Sequence, residues 1–114
     1  MVIIIDIRPG SDPAPINPTS EGVIPVAILA TETFDATTVD ATTVHFGKTG
    51  MEAAAVQSVL EDVDGDGTLD LLLHFKTQDT DITCGDTSAS LTGETFSKQA
   101  IEGSDAIVTV GCKK

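Results

Sequence analysis

Alternation of apolar and polar residues dominates this chain and predicts β-strands. The clearest example is Leu69–Lys76, where polar residues for the most part separate the apolar residues Leu69, Leu71, Leu73 and Phe75. Further segments rich in β-branched and aliphatic residues are predicted as strands: Val2–Arg8, Val23–Ala30, Val39–Phe46, Ser88–Thr95 and Ala106–Val110. Turn-forming residues separate these segments, most densely in Pro9–Ser20.

Many short strands with frequent turns indicate an all-β fold, and we predict an antiparallel β-sandwich of the Ig-like type. Two segments leave their local structure open. Pro25 interrupts its strand and indicates a bulge or an edge position, because proline has no N–H for the ladder. The segment Glu52–Leu60 is compatible with two helical turns, but it also alternates at every second residue. We favour a strand that leads into the loop after it.

That loop is the most informative stretch, since residues 62–70 read Asp-Val-Asp-Gly-Asp-Gly-Thr-Leu-Asp. Ca²⁺ takes about 6–8 oxygen ligands in flexible geometry, and alternating carboxylates around two glycines can converge on one such ion. In the calcium loop of the EF-hand, positions one, three and five match Asp62, Asp64 and Asp66. Thr68 would bind through its backbone carbonyl, and Asp70 matches position nine. These five residues are the predicted ligands of a calcium ion held between two strands.

The match to the EF-hand then ends. Position twelve, normally a bidentate glutamate, is Leu73, and a strand follows instead of a helix. One or two further ligands must therefore come from elsewhere, and the candidates are Glu61, Asp6, Asp12, Asp40 and Asp105. The alternative is a solvated acidic β-turn, because Asp and Gly are common in turns. Mutual repulsion of four nearby carboxylates favours the metal site.

Length and charge narrow the functional classes. The 114 residues are expected to form one domain, 1–114, excised from a longer secreted protein. With a net charge of −12, the chain is a poor partner for nucleic acid or anionic membranes. No apolar run approaches the roughly 20 residues of a membrane span, and the short apolar start lacks the basic region of a signal peptide.

The two cysteines, Cys84 and Cys112, predict a disulfide that pins the last strand to a loop. Such a bridge fits an oxidising compartment, so we expect an extracellular or cell-surface location. Two free buried thiols are one alternative. A zinc site that adds His45 and His74 is another, although the short paired spacing typical of zinc ligands is missing.

Several segments together resemble a module found near the ends of large secreted or surface proteins of bacteria and archaea. They include Ile5–Ser11, Gly22–Leu29, Phe34–Asp40, Glu61–Gly67, Leu91–Thr95 and Ile101–Asp105. The loop itself is similar to those of dockerins, thrombospondin type 3 repeats and FG-GAP repeats, which bind calcium. That resemblance implies the same five ligands. A dockerin has paired helices and two loops, so docking to a cohesin is not expected of this chain.

We therefore expect a calcium-binding, calcium-stabilised accessory or structural module. The alternative is a carbohydrate-binding or adhesion module, with a polysaccharide or another surface protein as its partner. Flat sugar-stacking platforms need large amphipathic rings, but Trp and Tyr are absent and the four aromatic residues are expected in the core: Phe34, Phe46, Phe75 and Phe96. An enzyme is not expected, since no serine lies in a Gly-x-Ser-x-Gly elbow; a small hydrolase is the minor alternative.

Overall fold

Eight β-strands build the fold, which a computed structural model describes for residues 1–11 and 13–112. The strands are β1 (Ile5–Ile7), β2 (Ala14–Ile16), β3 (Val23–Ile28), β4 (Val39–Gly47), β5 (Ala53–Glu61), β6 (Asp70–Lys76), β7 (Ser88–Thr95) and β8 (Ala100–Thr109). Two 3-10 turns, Ala36–Thr38 and Thr77–Asp79, are the only helical elements of the described residues. No helix in that part of the chain is long and apolar enough to cross a membrane.

The eight strands form one sheet in the order β1-β3-β6-β5-β4-β7-β8-β2. Neighbouring strands are antiparallel, except that β2 runs parallel to β8. The sheet curls so far that the first residues of the chain reach β8, where Val2 forms a parallel bridge with Glu102. The Ile3 N–H donates to the Glu102 carbonyl at 2.8 Å. The result is a sheet that is nearly a closed barrel.

The all-β prediction is confirmed, but a sandwich of two antiparallel sheets is not what the structure shows. One mixed sheet curls on itself instead. The sheet is continuous because β5 pairs with both β6 and β4. It is mixed because of β2, which lies within Pro9–Ser20, a segment predicted as turns. Three residues are too few for an alternation signal, and only pairing with the C-terminal half of β8 reveals them as a strand. The strand β8 also begins at Ala100, earlier than the predicted Ala106.

Pro25 lies inside β3, which has β1 on one side and β6 on the other, and its pairing with His74 involves no bulge. Its carbonyl accepts the Arg8 N–H at 2.7 Å, so its nitrogen also faces the β1 side. There the chain has already left the sheet, because Arg8 adopts a φ of 49°. The missing N–H of Pro25 therefore costs no ladder hydrogen bond.

The core fills the inside of the curled sheet. Phe46 and Phe75 are fully buried, with ring centroids 5.1 Å apart, and Phe34 is also buried. The expectation that Phe96 is a core residue is wrong, since its side chain is 67% exposed. Phe96 follows β7 directly, in the tight turn that leads to β8, where no face of the sheet can cover it.

The predicted disulfide is present. Cys84, before β7, is bonded to Cys112, after β8, with their Cα atoms 6.0 Å apart. A further contact supports the same junction, because the Gly85 N–H donates to the Thr109 hydroxyl at 2.9 Å. Both sulfur atoms are consumed by this bond, which rules out the free thiols and the Cys-His zinc site.

Candidate metal site

The acidic loop joins the end of β5 to the start of β6, two adjacent antiparallel strands. Its two glycines make the reversal possible: Gly65 has a φ of 74° and Gly67 a φ of 89°. A Cβ atom at either position would meet nothing within 4 Å. Glycine is therefore favoured here by its backbone conformation and not by lack of space.

The loop folds around the side chain of Asp62. Its Oδ1 accepts the N–H groups of Gly65 and Asp66 at 2.9 and 3.2 Å, and its Oδ2 accepts the Gly67 N–H at 2.9 Å. Farther along, Asp66 Oδ1 accepts the Thr68 N–H at 2.9 Å and the Thr68 hydroxyl at 2.7 Å. These bonds orient the carboxylates of Asp62 and Asp66.

Four carboxylates converge: one oxygen each from Asp62, Asp64, Asp66 and Asp70 lies within 4.8 Å of all the others. Two oxygens on opposite sides of a Ca²⁺ ion are about 5 Å apart, since each Ca–O distance is about 2.3–2.6 Å. The cluster therefore has the dimensions of a site that could hold an ion. Its four members are among the residues predicted from the loop spacing.

Asp70 differs from the other three because its side chain is fully buried, whereas theirs are exposed. Its Oδ1 accepts the Ala30 N–H at 2.7 Å, and its Oδ2 accepts the Val63 N–H at 3.1 Å. The sequence contained no signal for the contact with Ala30, which lies just beyond β3. This contact fixes the loop to a strand that is distant in the chain.

The pKa values of two carboxylates in the cluster are shifted in opposite directions. Partial desolvation and the charges of Asp70 and Asp66 raise the pKa of Asp64, although a hydrogen bond from the Asp66 N–H opposes the rise. At Asp66 the pKa is lowered, chiefly by the hydroxyl and the N–H of Thr68. The raised pKa means that the protein disfavours the ionised form of Asp64, and a cation beside it would favour that form.

Of the additional ligands proposed from sequence, none of those that the structure describes joins the cluster. Among the described residues, only the four aspartates form such a group. Asp105 instead accepts the Ile7 N–H at 3.0 Å, and Asp40 accepts the Thr42 hydroxyl at 2.6 Å. Asp6 lies in β1 and Glu61 ends β5, while Asp12 lies outside the described residues. The role of the Thr68 carbonyl stays a prediction.

A groove of about 540 Å³ opens beside the acidic loop. Thr68 and Leu69 of the loop form one part of its wall, and the rest comes from the segment after β3, including Thr31, Glu32 and Thr33. The space next to the acidic loop is therefore lined by hydroxyl and carboxylate groups together with the apolar side chains of Ala30, Phe34 and Leu69.

No family model, curated protein or solved structure matches this chain. The resemblance to secreted calcium-binding modules accordingly rests on the residues alone. What the fold and the site define is an all-β, disulfide-bonded protein with a four-aspartate cluster that could hold a metal ion.

Proposed function

We propose that this chain is a calcium-binding, calcium-stabilised accessory or structural module of a secreted or cell-surface protein. The observation that carries the proposal is the convergence of four carboxylates, one of them fully buried. An all-oxygen set of ligands suits Ca²⁺ better than Zn²⁺, which prefers nitrogen and sulfur. Mg²⁺ is also less suited, since it demands near-ideal octahedral geometry and retains several waters.

The bound ion would act by joining parts of the fold. It would neutralise the carboxylates of the loop and hold them against Asp70, which already contacts Ala30. At a calcium concentration a thousandfold above Kd, linkage adds about 4 kcal/mol to the free energy of unfolding. That is a large share of the about 5–15 kcal/mol of a typical domain.

The disulfide supports the extracellular part of this proposal. The Cys84–Cys112 disulfide is compatible with an oxidising compartment. Folding would then be completed where calcium is abundant. The proposal assigns no catalytic activity to the chain.

Thermal unfolding tests the proposal directly. The melting temperature of the wild-type protein should rise in Ca²⁺ relative to EDTA, and Mg²⁺ should produce a smaller rise. Asp62→Asn and Asp66→Asn should abolish most of that response, whereas Asp81→Asn, which makes the same charge change outside the cluster, should retain it. Equal melting temperatures in Ca²⁺ and EDTA would refute the proposal.

A second candidate is binding of a carbohydrate at the groove beside the acidic loop. Thr31, Thr33, Thr37 and Thr68 line this groove. Their hydroxyls already bond to side chains of the protein, but each oxygen can still accept a hydrogen bond from a polyol. A glycan array probed in Ca²⁺ and again in EDTA tests the idea. A blank array in both conditions would leave the structural role as the only proposal.

A further inference from the structure

The strand β5 is paired over most of its length on only one side. Its ladder with β6 runs from Ala55 to Glu61, with an irregularity between Ala55 and Gln57, so the regular part is Gln57–Glu61. On the other side, its ladder with β4 consists of His45 with Ala54 and Phe46 with Ala53. Beyond Ala54 the two strands diverge, and a space of about 170 Å³ separates them. We call Gln57–Glu61 the open edge; within the described residues, no strand pairs with its outer side.

The side chains along the open edge lack a covering neighbour in the described part of the chain. Every residue from Val56 to Glu61 is exposed, with none of the in–out alternation of the neighbouring β6. Ser58 pairs with Leu73 and Leu60 with Leu71, so both side chains point to the inner face of the sheet. Leu60 is nevertheless 45% exposed, whereas Leu71 is 5% exposed. An additional strand alongside β5 would cover this inner-face leucine.

The composition of β5 also fits pairing with another strand. The open edge contains no proline or glycine, and its only charged residue is Glu61 at its end, in a chain whose net charge is −12. Exposed edges are normally protected by charged residues or proline, because the free N–H and C=O groups of an edge strand can pair with a strand of another molecule. Val56, Val59 and Leu60 add exposed apolar side chains to the same segment.

We propose that the open edge binds the open edge of a second copy of this chain, so that two β5 strands pair antiparallel around a twofold axis at Val59. In this register Val59 faces Val59, Ser58 faces Leu60, and Gln57 faces Glu61. No two like charges are opposite, so two acidic molecules can meet here without direct repulsion. A twofold interface of this kind is isologous and closes at the dimer. The inference does not depend on metal binding.

Sedimentation equilibrium in Ca²⁺ tests the dimer over concentrations from about 1 µM to about 1 mM, where weak complexes dissociate. A monomer–dimer equilibrium is expected. Val59→Lys should weaken dimerisation about tenfold or more, because two lysines then face each other across the axis. Val108→Lys is the matched control: Val108 is 43% exposed but lies on β8, whose edge β2 covers.

A cross-linking variant keeps the test decisive if Val59→Lys impairs folding. Val59→Cys should form a disulfide-linked dimer on mild oxidation, while Val23→Cys, at an exposed valine of β3, should not. A monomer at every concentration, a dimer that Val59→Lys leaves intact, or equal cross-linking of both cysteine variants would overturn the proposal. An assembly larger than a dimer, or one formed only with a different protein, would also overturn it.

Discussion

The carboxylate of Asp70 accepts the backbone N–H of Ala30 at 2.7 Å, across forty residues of chain. The other oxygen of the same side chain accepts the Val63 N–H. Asp70 therefore ties the acidic loop to the residues that follow β3. Its position in the cluster gives it two roles, since it satisfies buried donors and also offers an oxygen to a cation.

The structural role of Asp70 is measurable without metal. In EDTA, Asp70→Ala should lower the free energy of unfolding by about 2–4 kcal/mol, because two N–H groups lose their acceptor. Urea unfolding measures the change, with Asp81→Asn as the surface control. If Asp70→Ala stayed within about 0.5 kcal/mol of wild type, the hydrogen bonds would not be stabilising.

Whether Asp64→Asn stabilises or destabilises the protein should depend on calcium. Its raised pKa means that the folded state disfavours the ionised carboxylate, so stability falls as the pH rises above the ordinary value of 3.8. In EDTA at neutral pH, Asp64→Asn should therefore match or exceed the stability of wild type. In saturating Ca²⁺ the same variant should be less stable. Denaturant titrations in both conditions would show the reversal, and the same sign in both would contradict it.

Glu52 should contribute to the pH dependence of stability. Desolvation raises the pKa of this carboxyl, but hydrogen bonds from Thr49, Met51 and Gly50 outweigh it and the pKa is lowered from 4.5. A lowered pKa adds stability above the unfolded value, and this is lost as the pH falls through the folded value. Glu52→Gln should thus destabilise the protein at pH 7 and progressively less below about pH 4.5. The exposed Glu32→Gln is the control in the same pH series, and a deficit independent of pH would contradict the assignment.

Removal of the disulfide should destabilise the fold. In the chain-entropy model, a bridge across 28 positions contributes about 3–4 kcal/mol. The double variant Cys84→Ser/Cys112→Ser should therefore show a correspondingly lower free energy of unfolding in Ca²⁺. Wild-type protein in reductant should match the variant. A difference between the two would trace the loss to the serines and not to the missing bond.

The parts of the structure that sequence predicted are those with local causes. The spacing from Asp62 to Asp66 and the two glycines suffice to bring carboxylates together, because the turn is encoded within the loop. The contact of Asp70 with Ala30 could not be predicted in this way, since it depends on how β3 lies beside β6.

The strand order could not be predicted from the sequence either, because it also depends on contacts between distant parts of the chain. The short β2 is recognisable as a strand only through its pairing with β8. The curl that brings Val2 to Glu102 involves residues from opposite ends of the chain. The alternation in Glu52–Leu60 favours a strand, and β5 confirms this prediction. Its unusual exposure, however, follows from the divergence of β4, which no pattern within β5 itself could indicate.

The arrangement along β8 has a mechanical consequence. Met1 is held at the Ala100 end of this strand, whereas Ile16 receives the Val110 N–H at the opposite end. Tension between Met1 and Val110 would therefore pull the N-terminal segment and β8 past each other lengthwise. Their shared hydrogen bonds would be loaded together and not broken one after another. A fold built in this way would resist stretching along β8 better than it would resist the peeling of one strand at a time.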